Sequence, residues 1–175
     1  MRPQFTSLTD HKTRRNVLVG AGALLVAGAT WKFFPVSAQT TSPDGYEIMD
    51  AQAAFDAVSA DEIVLVDIRR PDEWSGTGIG EGAVALDMRE ESFVASLVEL
   101  RKLYPTRPIA LICRTGNRSG NVVSTLAAQG FPGLVDVSEG MVGGRNGQGW
   151  IKRGLPTYVG TAAEITPRLN AVMTP

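Results

Sequence analysis

Residues 108–130, PIALICRTGNRSGNVVSTLAAQG, carry three signals in a row. Pro108 to Cys113 is an unbroken apolar run, the pattern of a strand buried on both faces of a parallel sheet. The chain then turns polar through Arg114, Thr115, Gly116, Asn117 and Arg118. From Ser119 onward Val, Leu and Ala recur at helical spacing until Gly130 stops the pattern. A strand that passes through a short loop into a helix is half of a βαβ unit. It leaves Cys113, the only cysteine of the chain, at the carboxyl end of that strand. Ligands of open α/β sheets bind outside such strand ends.

The flanking chain repeats the alternation. YEIMD (46–50) reads as a short strand with Asp50 as a helix N-cap, and AQAAFDAVSA (51–60) sets Ala51, Ala54, Phe55 and Val58 at helical spacing. EIVLVD (62–67) is a second buried strand, and AVALD (83–87) a further short one. EESFVASLVELRKLY (90–104) aligns Phe93, Leu97, Leu100 and Tyr104 on one helical face. GLVDV (133–137) closes the series. The expected fold class is α/β, with a mostly parallel sheet flanked by helices. After Gly160, three states stay open for the tail: a surface helix, a disordered end, or a segment that packs back through ITPRLNAVM (165–173).

At 175 residues the chain has one domain's worth of core, and 43% hydrophobic with 20% charged residues is ordinary for a globular protein. The net charge of -1 conceals an asymmetry. Residues 1–38 hold Arg2, Lys12, Arg14, Arg15 and Lys32 against Asp10 alone, so the remainder is acidic. An acidic body excludes nucleic acid as a partner, because phosphate backbones reward basic patches.

The basic front end has its own logic. Arg14-Arg15 precedes an uncharged stretch from Asn16 to Trp31, and PVSAQT (35–40) puts Val36 and Ala38 at the -3 and -1 positions of a cut after Ala38. Charged, apolar and small-residue segments in that order make a secretory signal. The paired arginines with Leu18 resemble a twin-arginine signal, which implies the twin-arginine export machinery as a partner and a periplasmic location. An uncleaved membrane anchor and a buried helix are the alternatives, but the uncharged stretch is short of the ~20 residues a span needs. The expected organisation is an export signal at 1–38, an α/β domain at 39–160 and a tail at 161–175.

In an oxidising compartment one cysteine cannot bridge internally. A lone cysteine is most often buried and inert. Here its surroundings argue otherwise. A loop entering a helix presents unpaired N–H groups and the positive end of the helix dipole, which hold anions and favour a thiolate over a thiol. Arg114 and Arg118 add positive charge, and Gly116 allows a tight curl. The only histidine, His11, lies in the presequence, which excludes a Cys–His pair and a His-ligated metal from the mature protein.

CRTGNRS (113–119) resembles the active-site loop of the rhodaneses, the thiosulfate sulfurtransferases. LVDIRRPDEW (65–74) is similar to the family's strand-end Asp-x-Arg and the acidic-aromatic segment after it. GWIKRGLPT (149–157) resembles its closing Trp and Gly-Leu-Pro, with DVSEGMVGG (136–144) between. The likeness runs from Tyr46 to Val159. GTGIGEGA (76–83) departs from it, lacking the family's His and running one residue longer.

The resemblance implies a three-layer rhodanese-like domain and a two-step reaction. The Cys113 thiolate attacks the outer sulfur of thiosulfate, sulfite leaves, and a thiol, a partner protein or cyanide removes the persulfide sulfur. Backbone N–H groups of Arg114, Thr115, Gly116, Asn117, Arg118 and Ser119 would cradle the anion, and Arg114 or Arg118 would attract the substrate. Ser119 also reads as a cap of the following helix. Asp67, Arg69 and Glu73 read as loop ties held by salt bridges rather than as reacting groups. No organic cofactor or metal is implied, since the cysteine itself carries the sulfur. Two other readings stay open. A Cys-dependent phosphatase or arsenate reductase also uses a Cys-to-Arg loop, but with five intervening residues where Cys113 and Arg118 have four. A persulfide carrier serving a dedicated partner would keep the same loop.

Overall fold

The computed structural model describes residues 39–174. The export segment read at 1–38, the cut after Ala38 and His11 lie outside the described residues. β1 (Gln39–Thr41) pairs antiparallel with β2 (Glu47–Met49). α1 (Ala51–Ser59) follows directly, and the Asp50 carboxylate accepts a hydrogen bond from the Ala53 N–H at 2.7 Å, the capping foreseen from the sequence. Then come β3 (Val64–Asp67), α2 (Pro71–Thr77), β4 (Ile79–Gly80), β5 (Val84–Ala85) and α3 (Phe93–Leu103). β6 (Ile109–Ile112), α4 (Asn117–Ala128) and β7 (Leu134–Val137) form the next unit. α5 (Gly149–Lys152), β8 (Thr157–Tyr158) and α6 (Ala162–Met173) complete the chain.

The main sheet has the order β1-β2-β7-β6-β3-β5, parallel throughout except between β1 and β2. This is the α/β class expected from the sequence. β6 is central, with β3 on one side and β7 on the other. Its side chains alternate between two cores. Ala110 and Ile112 join the layer of α1 and Trp150, whereas Ile109 and Leu111 join that of α3 and α4. Each fully buried aliphatic side chain contributes roughly 1.5–3 kcal/mol, so the strand that presents Cys113 is firmly anchored.

GTGIGEGA closes α2 and pairs β4 antiparallel with β8 in a second, two-stranded sheet. Gly80 lies so close to the Trp150 indole that a Cβ would stand 2.8 Å from it. The segment therefore builds structure of its own around Trp150. The tail is a helix, and it packs back: Leu169, Val172 and Met173 meet the α3/α4 core, and the Tyr104 hydroxyl donates to Val172 O at 2.8 Å.

Candidate active site

The loop after β6 is fixed from both ends. Cys113 O accepts from the Met141 N–H at 2.8 Å, and Arg114 O from the Val142 N–H at 2.9 Å. Gly116, the residue before α4, has φ of 84°, and a Cβ there would fall 1.8 Å from Ser138 O. No side chain fits between the loop and the turn after β7. Among the described residues, none of the N–H groups from Arg114 to Ser119 donates a backbone hydrogen bond. Six adjacent donors, at the start of a twelve-residue helix, are thus free to face an anion.

Cys113 is fully buried at the end of the central strand. The Ser119 hydroxyl lies 3.5 Å from its Sγ and 3.2 Å from Gly116 O. Ser119 is not the helix cap. The helix starts earlier than its apolar spacing suggested, Gly116 occupies the cap position, and Ser119 stands in the first turn with its hydroxyl turned to the thiol. Thr115, Gly116 and Asn117 border an open groove of about 1170 Å3 that continues along Gly120, Asn121 and Asp136.

The two loop arginines differ. Arg118 grips Glu73 with two bonds of 2.6 and 2.8 Å, tying α4 to α2. Arg114 has no ion-pair partner among the described residues, and it borders a small pocket of about 190 Å3 shared with Arg69, Arg70, Glu73 and Val142. Burial would raise the Glu73 carboxyl, but the hydrogen bond from Arg118, then the Arg70 N–H and the Arg118 charge, outweigh it and hold the group at about 2. The same contact raises Arg118, and the Cys113 side chain adds to it.

Asp67 and Arg69 form a wholly buried pair, 2.7 Å apart. The guanidinium also donates to Thr77 Oγ1 at 2.7 Å and Gly78 O at 2.6 Å, so the end of β3 is bolted to the end of α2. Burial pushes the Asp67 carboxyl above its ordinary range, against the hydrogen bond and charge of Arg69. Asp67, Arg69 and Glu73 brace the site, and none of them bonds to Cys113 Sγ.

Two acids near the site went unread in the sequence. Glu139, in the turn after β7, binds Arg153 with two bonds of 2.7 Å and accepts from the N–H groups of Ala51 and Gly149. It holds the turn against which the loop rests. Asp136, in β7, is buried beside α4. The only trace of it in the sequence was an acid inside the apolar run LVDV.

A protein-family model, the rhodanese-like domain, matches residues 50–146. The chain belongs to the rhodanese-like domain family. Rhodanese-like membership carries with it a sulfurtransferase or related cysteine-dependent function. The match spans α1 through the turn after β7 and contains the whole Cys113 loop. Among solved structures, Rv0390 from M. tuberculosis is 25% identical, covers 63% of this chain and 96% of its own, and superposes with a TM-score of 0.49. A rhodanese-like domain protein from Staphylococcus aureus is 22% identical over 63% of this chain and 97% of its own, with a TM-score of 0.45. A Rhodopseudomonas palustris protein described as a possible tyrosine phosphatase is 20% identical over 62% of this chain and 82% of its own, with a TM-score of 0.46. No curated protein matches the chain at a significant level.

Proposed function

We propose that this rhodanese-like protein is a thiosulfate sulfurtransferase with Cys113 as its nucleophile. The Cys113 thiolate attacks the outer sulfur of thiosulfate, whose S–S bond breaks and whose electron pair leaves with sulfite. The cysteine then bears a persulfide anion. An acceptor thiolate attacks the terminal sulfur, becomes a persulfide itself and restores the Cys113 thiolate.

The observation that carries this reading is the arc of unengaged N–H groups from Arg114 to Ser119 around the end of β6. Such an arc suits one anionic sulfur atom, and each donor at a transition state is typically worth ~3 kcal/mol. Arg114, without an ion-pair partner among the described residues, is the arginine available to draw in the dianion. Arg118 is committed to Glu73, which together with the four-residue spacing disfavours a phosphatase loop. We further propose that residues 1–38 direct export to the periplasm by the twin-arginine route, which rests on Arg14-Arg15 and the uncharged stretch behind them.

Intact-protein mass spectrometry of the full chain, before and after thiosulfate, tests the reaction. One added sulfur, removed by cyanide and missing in Cys113→Ser, is the expected result. No adduct on folded, reduced protein overturns thiosulfate as donor. Thiocyanate released over many cycles marks an enzyme, and a single equivalent marks a carrier. Replacing Arg14 and Arg15 by lysines should leave the protein in the cytoplasmic fraction, and unchanged fractionation overturns the export route.

A further inference from the structure

Asp136 has no role in the scheme above, yet its placement is costly. It stands in β7, in register with Leu111 of the central strand, and is 5% exposed. Its Oδ1 is enclosed without a hydrogen-bond partner, and burial pushes the carboxyl up to about 6. Arg118, from α4, is occupied by Glu73, and Asp136 has no ion pair among the described residues. A buried carboxyl serving only to pack would be better replaced by an amide or an apolar group.

Asp136 lines the groove of about 1170 Å3 that borders the Cys113 loop, between α4 and the β2–β7 side of the sheet. On the α4 wall Asn117, Gly120, Asn121 and Ser124 recur at helical spacing as one polar stripe. Gly120 is the gap in it. It has no side chain, and a Cβ there would stand 3.3 Å from Asp136 Oδ2, so the way from the groove to the carboxyl runs over Gly120. On the sheet side Tyr46 and Ile48 are half-buried and offer an aromatic and an aliphatic surface. Asp44 adds a second carboxylate, which accepts from the Ser124 hydroxyl at 3.2 Å, against the single guanidinium of Arg145.

A group that fits here must donate hydrogen bonds and carry positive charge, because a neutral donor leaves the buried charge uncompensated. It also needs an aliphatic stem to cross Tyr46 and Ile48. A lysine side chain meets both demands. The groove exceeds the roughly 300–1,000 Å3 typical of small-molecule pockets, which leaves room for peptide backbone on either side of the lysine. The acidic balance of the chain after residue 38 complements a basic partner. We propose that this groove binds a lysine-bearing peptide segment of a partner protein, with the lysine ammonium paired to Asp136.

The test is a two-dimensional NMR titration of the full chain with acetyl-Ala-Lys-Ala-amide, its norleucine analogue and n-butylamine. The lysine peptide should shift the Gly120 and Asn121 amides and bind more tightly than n-butylamine. The norleucine peptide should leave those amides in place. Asp136→Asn should weaken the lysine peptide about tenfold. Wild-type binding should also weaken about tenfold from about pH 7.5 to about pH 5, where roughly a tenth of a carboxyl at about 6 is ionised. Lysine stays charged throughout that range. Asp44, Tyr46 and Arg145 are the other titratable groups on the groove walls, and Asp44→Asn should keep the pH step. No shift at millimolar peptide, equal binding of the norleucine peptide, unchanged affinity in Asp136→Asn or loss of the pH step in Asp44→Asn overturns the proposal. Tighter binding of n-butylamine overturns the peptide and leaves a small-amine site. Should Asp136→Asn misfold by circular dichroism, Gly120→Ala decides, since its methyl group closes the approach to Oδ2 and should weaken the peptide likewise. Binding is read without any sulfur donor, so its failure and that of the thiosulfate reaction are distinguishable.

Discussion

Glu73→Gln isolates the charge that joins α2 to α4 across the mouth of the loop. The glutamine keeps an acceptor for the Arg118 guanidinium and the Arg70 N–H but loses the charge. Moving the carboxyl from 4.5 to about 2 corresponds to at most about 3–4 kcal/mol, at roughly 1.4 kcal/mol per unit. The Arg118 side chain is 32% exposed, and solvent screening brings the expected loss down to about 1–2 kcal/mol. Because the folded-state value is depressed, the stabilisation is complete above the unfolded value and disappears as pH falls through the folded one. Wild type should therefore exceed the variant by a constant margin from pH 7 to about 5. The two should converge on approaching pH 2. Urea unfolding at several pH values measures this directly. A margin that persists at low pH, or no margin at pH 7, refutes the charge argument.

Gly116→Ala should destabilise by at least about 2 kcal/mol, since the left-handed backbone and the contact with Ser138 O both disfavour a Cβ. The loop must then leave its seat, so the proposed persulfide formation from thiosulfate should fall further than stability alone explains. Arg69→Met leaves Asp67 buried without its partner and should cost about 3–5 kcal/mol, read as a lower urea midpoint. Asp136→Asn should instead stabilise the fold at pH 7 to 8, by about 1–3 kcal/mol, because it removes an ionised carboxyl from a buried place. That advantage should vanish below about pH 4, where the carboxyl is protonated in both states, and thermal melts at the two pH values check the sign.

The sheet was legible where it is local. β3 and β6 announce themselves as apolar runs, and α1, α3 and most of α4 by helical spacing. α2 was not legible, because PDEWSGT has no helical stripe and owes its shape to the Arg70–Glu73 capping and to Arg69 binding Thr77 and Gly78. β4 and β8 are two residues each and form through tertiary packing around Trp150. At the site, the residue types and spacing of CRTGNRS point to anion chemistry without any fold. The partner of Arg118 and the packing of Asp136 against Gly120 could not be read, since both arise from where α2 and β7 pass in space.

The pairing of β2 with β7 also governs when the domain can form. Glu47, near the start of the described chain, pairs with Val135, near its far end, and most of the domain lies between them. During synthesis the hairpin of β1 and β2 waits, one edge open, until Leu134–Val137 has emerged. A nascent chain halted before that point exposes unpaired strand edges and is prone to aggregate. Closing so long a loop is slow, and the same event brings Ser138 up against Gly116. The Cys113 loop is thus locked only in the last stage of folding, and a chain truncated within β7 would hold an intact CRTGNRS with nothing to shape it.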